Sequence, residues 1–331
     1  MSRLKWGILA TGGISKQYAG GLKVSKTGEL VRVGSRQPDT GATFSEKFGG
    51  TPGTYDEVLA DPSVDAVYIG LPHHMHAEWT IKCAEAGKAI LCEKPFTLTK
   101  KEAERALATV KKHGVFFMEA FMYRCHPQTL KAIELIKAGK IGTPKMVNAE
   151  FGFKGPDNWD NFRAVNALGG GALMDVGVYP ISFSRLVFDA EPERVEYTAV
   201  IGAKGYDEIG TGTMLFPGGR TAHFGTAVHL SLRNSAVIHG EEGHLHLEDP
   251  WKVRQGTRMY FYKPYDREPT EIYDLGDTND ALYGHEADTV AEFLVTGESP
   301  RMTISDTLGN MDTLDRLRKS AGLHFEGEES R

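Results

Sequence analysis

Four places in the chain carry residue types whose spacing could do chemistry. A strand-like run, Lys5–Ala10, leads into Ala10-Thr11-Gly12-Gly13-Ile14-Ser15 and then a helix, the arrangement that brings backbone N–H groups to a pyrophosphate. The full G-x-G-x-x-G is not met, because only the central Gly12 stands between Ala10 and Ser15. Both replacements are small enough for a tight turn, but an ordinary strand-to-helix turn reads the same way. The next strand ends in Gly34-Ser35-Arg36. An acid there would hold a ribose 2′-OH, whereas an arginine accommodates a 2′-phosphate, so Arg36 with the Ser35 hydroxyl favours NADP over NAD. The alternative is a solvated Arg36, with Asp39 partly restoring NAD use. Lys94 lies between a strand end and Pro95, at the sheet edge where open α/β folds bind ligands. Asp175 and Tyr179 stand four apart, so a helix would present both to one substrate; the alternative is a core tyrosine beside a helix-face carboxylate. His73, His74 and His76 look like a metal cluster, yet no carboxylate or cysteine stands at ligand spacing, and no metal is expected.

The elements that must position these residues change character along the chain. Apolar runs at Lys5–Ala10, Leu30–Ser35, Ala66–Gly70, Ala89–Cys92 and Val115–Glu119 alternate with amphipathic stretches such as His74–Ala86 and Thr99–His113. That pattern predicts a parallel sheet wound by crossover helices. After a helix near Gln128–Ala138 the period becomes two, in Lys145–Phe153, Arg194–Ile201, Thr211–Phe216, Thr221–Leu230 and Ser235–His239, with a hairpin turn at Pro217-Gly218-Gly219. Helices are expected near Gly171–Phe188, Ala281–Leu294 and Ile304–Lys319. The fold class is therefore an α/β Rossmann-type N-terminal domain, 1–122, plus an α+β C-terminal domain, 123–331, with a large, mostly antiparallel open sheet.

Composition narrows the partners. The 331 residues carry 38 Lys+Arg against 44 Asp+Glu, a formal charge of −6, so the basic footprint of a nucleic-acid binder is missing. With 40% hydrophobic and 25% charged residues, the chain reads as globular, and no apolar run reaches the roughly 20 residues of a membrane span. Three cysteines without C-x-x-C and no signal-like start point to a reducing, cytoplasmic setting.

Leu91-Cys92-Glu93-Lys94-Pro95 resembles the E-K-P signature of the glucose–fructose oxidoreductase/inositol dehydrogenase (Gfo/Idh/MocA) family. The segments Trp6–Ile14, Leu71-Pro72-His73-His74-Met75-His76, Glu119-Ala120-Phe121-Met122-Tyr123-Arg124 and Gly169–Tyr179 match its pattern in order, and the likeness thins after about residue 200. The resemblance implies an NADP(H)-dependent oxidoreductase, with NAD as a second possibility, acting on a sugar, cyclic polyol or trans-diol. It places Lys94 beside the nicotinamide as proton donor or acceptor, where burial and a cationic ring would disfavour the ammonium form, and allows a cis Lys94-Pro95 bond. Most members carry histidine where Tyr179 stands; the tyrosine resembles the branch with dimeric dihydrodiol dehydrogenase and NADP-dependent D-xylose dehydrogenase. Either Lys94 or Tyr179 then transfers the proton, with Asp175 positioning the substrate. Cofactor contacts are implied at Thr11, Gly12, Gly13, Ile14, Ser35, Arg36, Leu71, Pro72, His73, His76, Glu93, Lys94 and Glu119. Glu119 reads alternatively as a solvated strand-end carboxylate. Tyr123, Arg124 and a polar, aromatic loop with Asn158, Trp159 and Arg163 suit a polyhydroxylated ring, or else an interface. Competing classes are a hydrolase or lyase acting by transient oxidation and a dinucleotide-sensing regulator; Lys94, Asp175 and a hydroxyl at 179 argue against the sensor. A homodimer or higher homo-oligomer through the second sheet is expected.

Overall fold

The computed structural model describes residues 3–156 and 159–328. Six parallel strands, β1 (Leu4–Leu9), β2 (Gly28–Gly34), β3 (Thr51–Gly53), β4 (Ala66–Ile69), β5 (Ala89–Glu93) and β6 (Phe117–Ala120), lie in the order β3-β2-β1-β4-β5-β6. Helices α1 (Gly13–Val24), α2 (Pro38–Phe48), α3 (Tyr55–Ala60), α4 (His76–Glu85) and α5 (Lys100–His113) connect them. Strands β4, β5 and β6 are buried at every residue, as strands covered on both faces must be, and this explains their unbroken apolar character. The α5 boundaries follow local chemistry. The Thr99 hydroxyl accepts the Glu102 N–H at 3.3 Å, and Gly114 ends the helix in the left-handed conformation.

A short helix, α6 (Met122–Cys125), precedes α7 (Pro127–Lys137). A second sheet of eight strands follows: β7 (Pro144–Gly152), β8 (Arg194–Ile201), β9 (Asp207–Phe216), β10 (Arg220–Ala227), β11 (Ser235–Gly240), β12 (Gly243–Glu248), β13 (Arg258–Tyr262) and β14 (Glu271–Asp274). Their order is β14-β13-β12-β11-β7-β10-β9-β8. Every pair is antiparallel except β7 with β10. The expected hairpin turn at 217–219 joins β9 to β10, with Gly218 and Gly219 both at positive φ. Between β7 and β8, a π-helical turn at Leu173–Gly177 runs into α8 (Val178–Phe188), so the α-helix expected from 171 begins as a wider turn. The chain closes with α9 (Asn279–Phe293) and α10 (Ile304–Ser320).

The chain forms two compact units, and neither is one continuous stretch. The first comprises Met1–Cys125 with Thr278–Leu308, the second His126–Asp277 with Gly309–Arg331. The expected division at residue 122 thus lies close to the first crossing, but it assigns α9 to the wrong unit. The reason is packing: α9 lies on α1 at a glycine pair, where a Cβ on Gly21 would sit 2.5 Å from Tyr283 Cβ and one on Gly20 would sit 2.9 Å from an Asp280 carboxylate oxygen. The Tyr283 hydroxyl donates to Gln17 at 2.8 Å, and Asp288 accepts from the Ser25 and Thr27 hydroxyls. Among the described residues, no helix is long and apolar enough to cross a membrane.

Candidate active site

On the first unit, the turn after β1 is built to receive an anion. Ala10 holds φ of +87°, the conformation for which the dinucleotide fingerprint normally uses glycine. Gly12 starts α1 without a side-chain cap, and no acidic residue stands in the first turn. The leading N–H groups of a helix have no partners within it, and the helix dipole adds positive potential there. A Cβ on Gly12 or Gly13 would meet nothing within 4 Å, so the approach is open. Ser15 is buried, with no partner for its hydroxyl, and a Cβ on Gly70, just after β4, would overlap that oxygen. Thr11 and Ile14 line the same turn, half-buried. These residues fit a dinucleotide pyrophosphate.

After β2, Arg36 is exposed and lies near the half-buried Tyr55. Ser35 is turned to local work instead of display. Its hydroxyl bonds to the Gln37 carbonyl at 2.8 Å and to Thr40 Oγ1 at 2.7 Å, fixing the start of α2. Of the expected pair, Arg36 alone projects from the sheet edge.

The ends of β4 and β5 are tied together by His76. Its ring nitrogens lie 2.7 Å from the Leu71 carbonyl and 3.0 Å from the Pro95 carbonyl. Burial pushes its pKa down to about 4, against the pull of those carbonyls, so the ring is neutral at physiological pH and its single N–H is donated to one of the two. Pro72 is half-buried, and Leu71 and the neighbouring His73 are buried. The Glu93 carboxylate accepts from the Tyr68 hydroxyl at 2.5 Å and from the Lys94 N–H at 3.3 Å. Lys94 is 9% exposed, and its bond to Pro95 is cis. Glu119 is wholly buried, with one oxygen accepting the Phe96 N–H at 2.9 Å; the solvated alternative is overturned. Tyr123 and Arg124 are buried too. The Arg124 guanidinium donates to the Arg301 carbonyl at 3.0 Å, lies 3.4 Å from Asp306 and bonds to Tyr123. It joins α6 to the start of α10.

On the second unit, Asp175 sits in the π-helical turn and Tyr179 in the first turn of α8, both buried. Tyr179 packs edge-on to Phe151 at 5.1 Å and beside Trp251 at 6.0 Å between ring centroids. Arg163 Nε donates to Asp175 Oδ1 at 3.0 Å, so this arginine is placed by the carboxylate. The Arg163 carbonyl also accepts the Gly171 N–H at 2.9 Å, closing the loop onto the helix start. Trp159 lies edge-on to Phe153 and to His229, each at 5.7 Å. Asn158 lies outside the described residues. Tyr55, Ser15 and Trp251 belong to these sites and were not singled out in the sequence. Tyr55 and Trp251 reach them through the fold, with no local motif to mark them; Ser15, as the third position of an imperfect fingerprint, had a signal.

A parallel sheet of this order, with an open helix N-terminus after its first strand, is a dinucleotide-binding type of fold. Residues 4–121 match the oxidoreductase family with an NAD-binding Rossmann fold, and residues 129–246 match the GFO/IDH/MocA C-terminal domain. The chain belongs to the Gfo/Idh/MocA family. It is 32% identical to an NADP(+) D-xylose 1-dehydrogenase of Haloferax volcanii, over 96% of this chain and 97% of that one. It is 30% identical to a trans-1,2-dihydrobenzene-1,2-diol dehydrogenase of Xenopus tropicalis, over 97% and 99%. A 3-ketoreductase from Actinomadura kijaniata, solved with NADP and TDP-benzene, superposes with a TM-score of 0.86 at 27% identity, covering 97% of this chain and 98% of that one.

Proposed function

We propose that the protein is an NADP(H)-dependent dehydrogenase or reductase that moves a hydride to or from a carbinol carbon of a sugar, cyclic polyol or trans-diol. The observation that carries this reading is the set of groups at the carboxyl edge of the parallel sheet: the open N-terminus of α1 after β1, Arg36 after β2 and Lys94 after β5. The relatives named for xylose and diol oxidation support the substrate class. Bound nicotinamide supplies the carbon that accepts or gives the hydride. The chain does the rest. Arg36, exposed after β2, binds the 2′-phosphate through charge-assisted hydrogen bonds. Gly12 and Gly13 let the backbone approach the pyrophosphate. Lys94 and Tyr179 hold and move the proton of the substrate hydroxyl, and Asp175, fixed by Arg163, orients that hydroxyl. Self-association through the second sheet belongs to the same reading, and light scattering would give its stoichiometry.

The test is a screen of NADP and NAD reduction over aldoses, inositols and trans-diols, followed by variants. Lys94→Met and Tyr179→Phe should each lower kcat by roughly 10²–10⁴-fold, the range for a lost acid–base group, while NADPH affinity read by fluorescence stays near wild type. Full turnover in both would refute the assignment. Arg36→Ala removes a charged hydrogen bond worth about 1.5–3 kcal/mol, so KM for NADP should rise about 10- to 100-fold with little change for NAD.

A further inference from the structure

We propose that Asp207, the first residue of β9, is a positioning residue for the reaction: its carboxylate holds the start of the helix that carries Asp175 and Tyr179. This inference rests on the reading that those two residues handle substrate. Asp207 is 2% exposed. Its Oδ2 accepts the Leu173 N–H at 2.7 Å and the Tyr197 hydroxyl at 2.7 Å. From β10, the Thr226 hydroxyl donates to the Ala172 carbonyl at 2.9 Å. The Asp175 N–H in turn bonds to the Gly171 carbonyl at 3.1 Å. Gly171 stands at φ of +119°, and a Cβ there would overlap Asp207 Oδ1. The glycine is thus what lets a carboxylate close on the turn.

A serine or asparagine caps a helix as well as an aspartate does, without burying an ion. The ion has a further consequence here, because as an acceptor only it holds the Leu173 N–H and the Tyr197 hydroxyl at once. Protonation would place a hydroxyl hydrogen among those donors, loosen the π-helical turn and shift Asp175 within it. Misplacement of a reacting group by about 1 Å can cost on the order of 100-fold in rate. The carboxyl is raised from its ordinary value to about 6 by burial, against the hydrogen bonds from Tyr197 and Leu173. Among the described residues, the Tyr197 hydroxyl from β8 and the Leu173 N–H are the groups that bond to it.

The experiment is the pH profile of kcat between pH 5 and 8 with saturating NADPH and a ketone substrate found in the screen. The wild type should lose activity on the acid side with a midpoint near 6. Tyr197→Phe, which withdraws a hydrogen bond from the anion, should move that midpoint upward. Asp207→Asn should abolish this acid step and lower kcat about 10- to 100-fold, with KM for NADPH unchanged; faster amide exchange in the 171–177 segment should accompany it. Asp207→Glu, which keeps the charge, should restore an acid step. A wild-type profile without this step, or one unchanged in Asp207→Asn, overturns the inference. The reading beneath it is tested separately: if Asp175→Asn and Tyr179→Phe keep full activity, that reading fails, whereas if they are impaired and the Asp207 profile is unaltered, only the positioning role fails.

Discussion

Alanine at Gly171 should be among the most damaging single substitutions in the second unit. Two costs add. The backbone at φ of +119° disfavours any side chain, by about 1–3 kcal/mol. The new methyl group would also overlap Asp207 Oδ1, so the carboxylate must withdraw from Leu173 and Tyr197. Each of those bonds involves an ion and contributes about 1.5–3 kcal/mol. The sum is roughly 4–9 kcal/mol, a large part of the about 5–15 kcal/mol that separates folded from unfolded domains. At about 2–4 °C per kcal/mol for a unit of this size, the transition of the second unit should fall by at least about 8 °C. Gly177 supplies the control. It lies at the end of the same π-helical turn at ordinary helical angles, and a Cβ there would come only to 3.2 Å from Leu173 Cδ1. Gly177→Ala should change stability by no more than about 1 kcal/mol. Differential scanning calorimetry of both variants reads the contrast. A Gly171→Ala protein that melts with the wild type, while Gly177→Ala melts lower, would refute the assignment of strain to the contact with Asp207.

Two further outcomes follow from other residues. Ala10→Gly should raise stability by about 0.5–1 kcal/mol, because relief of a left-handed alanine, about 1–2 kcal/mol, exceeds the added chain entropy of glycine; an unchanged or lower melting temperature would count against the turn geometry. For Asp207, the folded-state pKa near 6 lies above its ordinary 3.8, so the native state binds more protons between those values and stability from this group is lost as pH rises through the window. The shift corresponds to about 3 kcal/mol, so the melting temperature of Asp207→Asn minus that of wild type, whatever its sign at pH 4, should rise by about 6–12 °C between pH 4 and pH 7.5; parallel pH curves would refute it.

The parallel sheet was legible because its strands are buried on both faces and read as apolar runs. What escaped had no such signal. Strand β3 is three mostly exposed residues, and α2 buries only Gly41 and Phe44 of its length. Strand β12 is the exception: buried Leu245 and Leu247 alternate with half-buried His244 and His246, so a period of two is present there. Candidate residues were legible as types and less so as roles. Lys94 announces itself at a strand end, yet nothing near Arg124 in sequence foretells Asp306, and nothing near His76 foretells Pro95. Asp207 was hidden for a simpler reason: β9 reads as starting at Thr211, where the alternation becomes clear, so its first residue looked like loop. Positions whose partners lie on another element become visible only when the chain is folded.

The discontinuous first unit bears on the order in which the protein is made. Residues 1–125 leave the ribosome first, but the helix that covers Gly20, Gly21 and Gln17 comes from residues 279–293. At about 5–20 residues per second, roughly 10–40 s separate the end of the first segment from the arrival of residue 308. Throughout that interval the nascent dinucleotide fold has one helix bare, while the whole eight-stranded sheet is synthesised behind it. Synthesis of residue 308, not of residue 125, therefore marks the earliest moment at which the first unit can be finished.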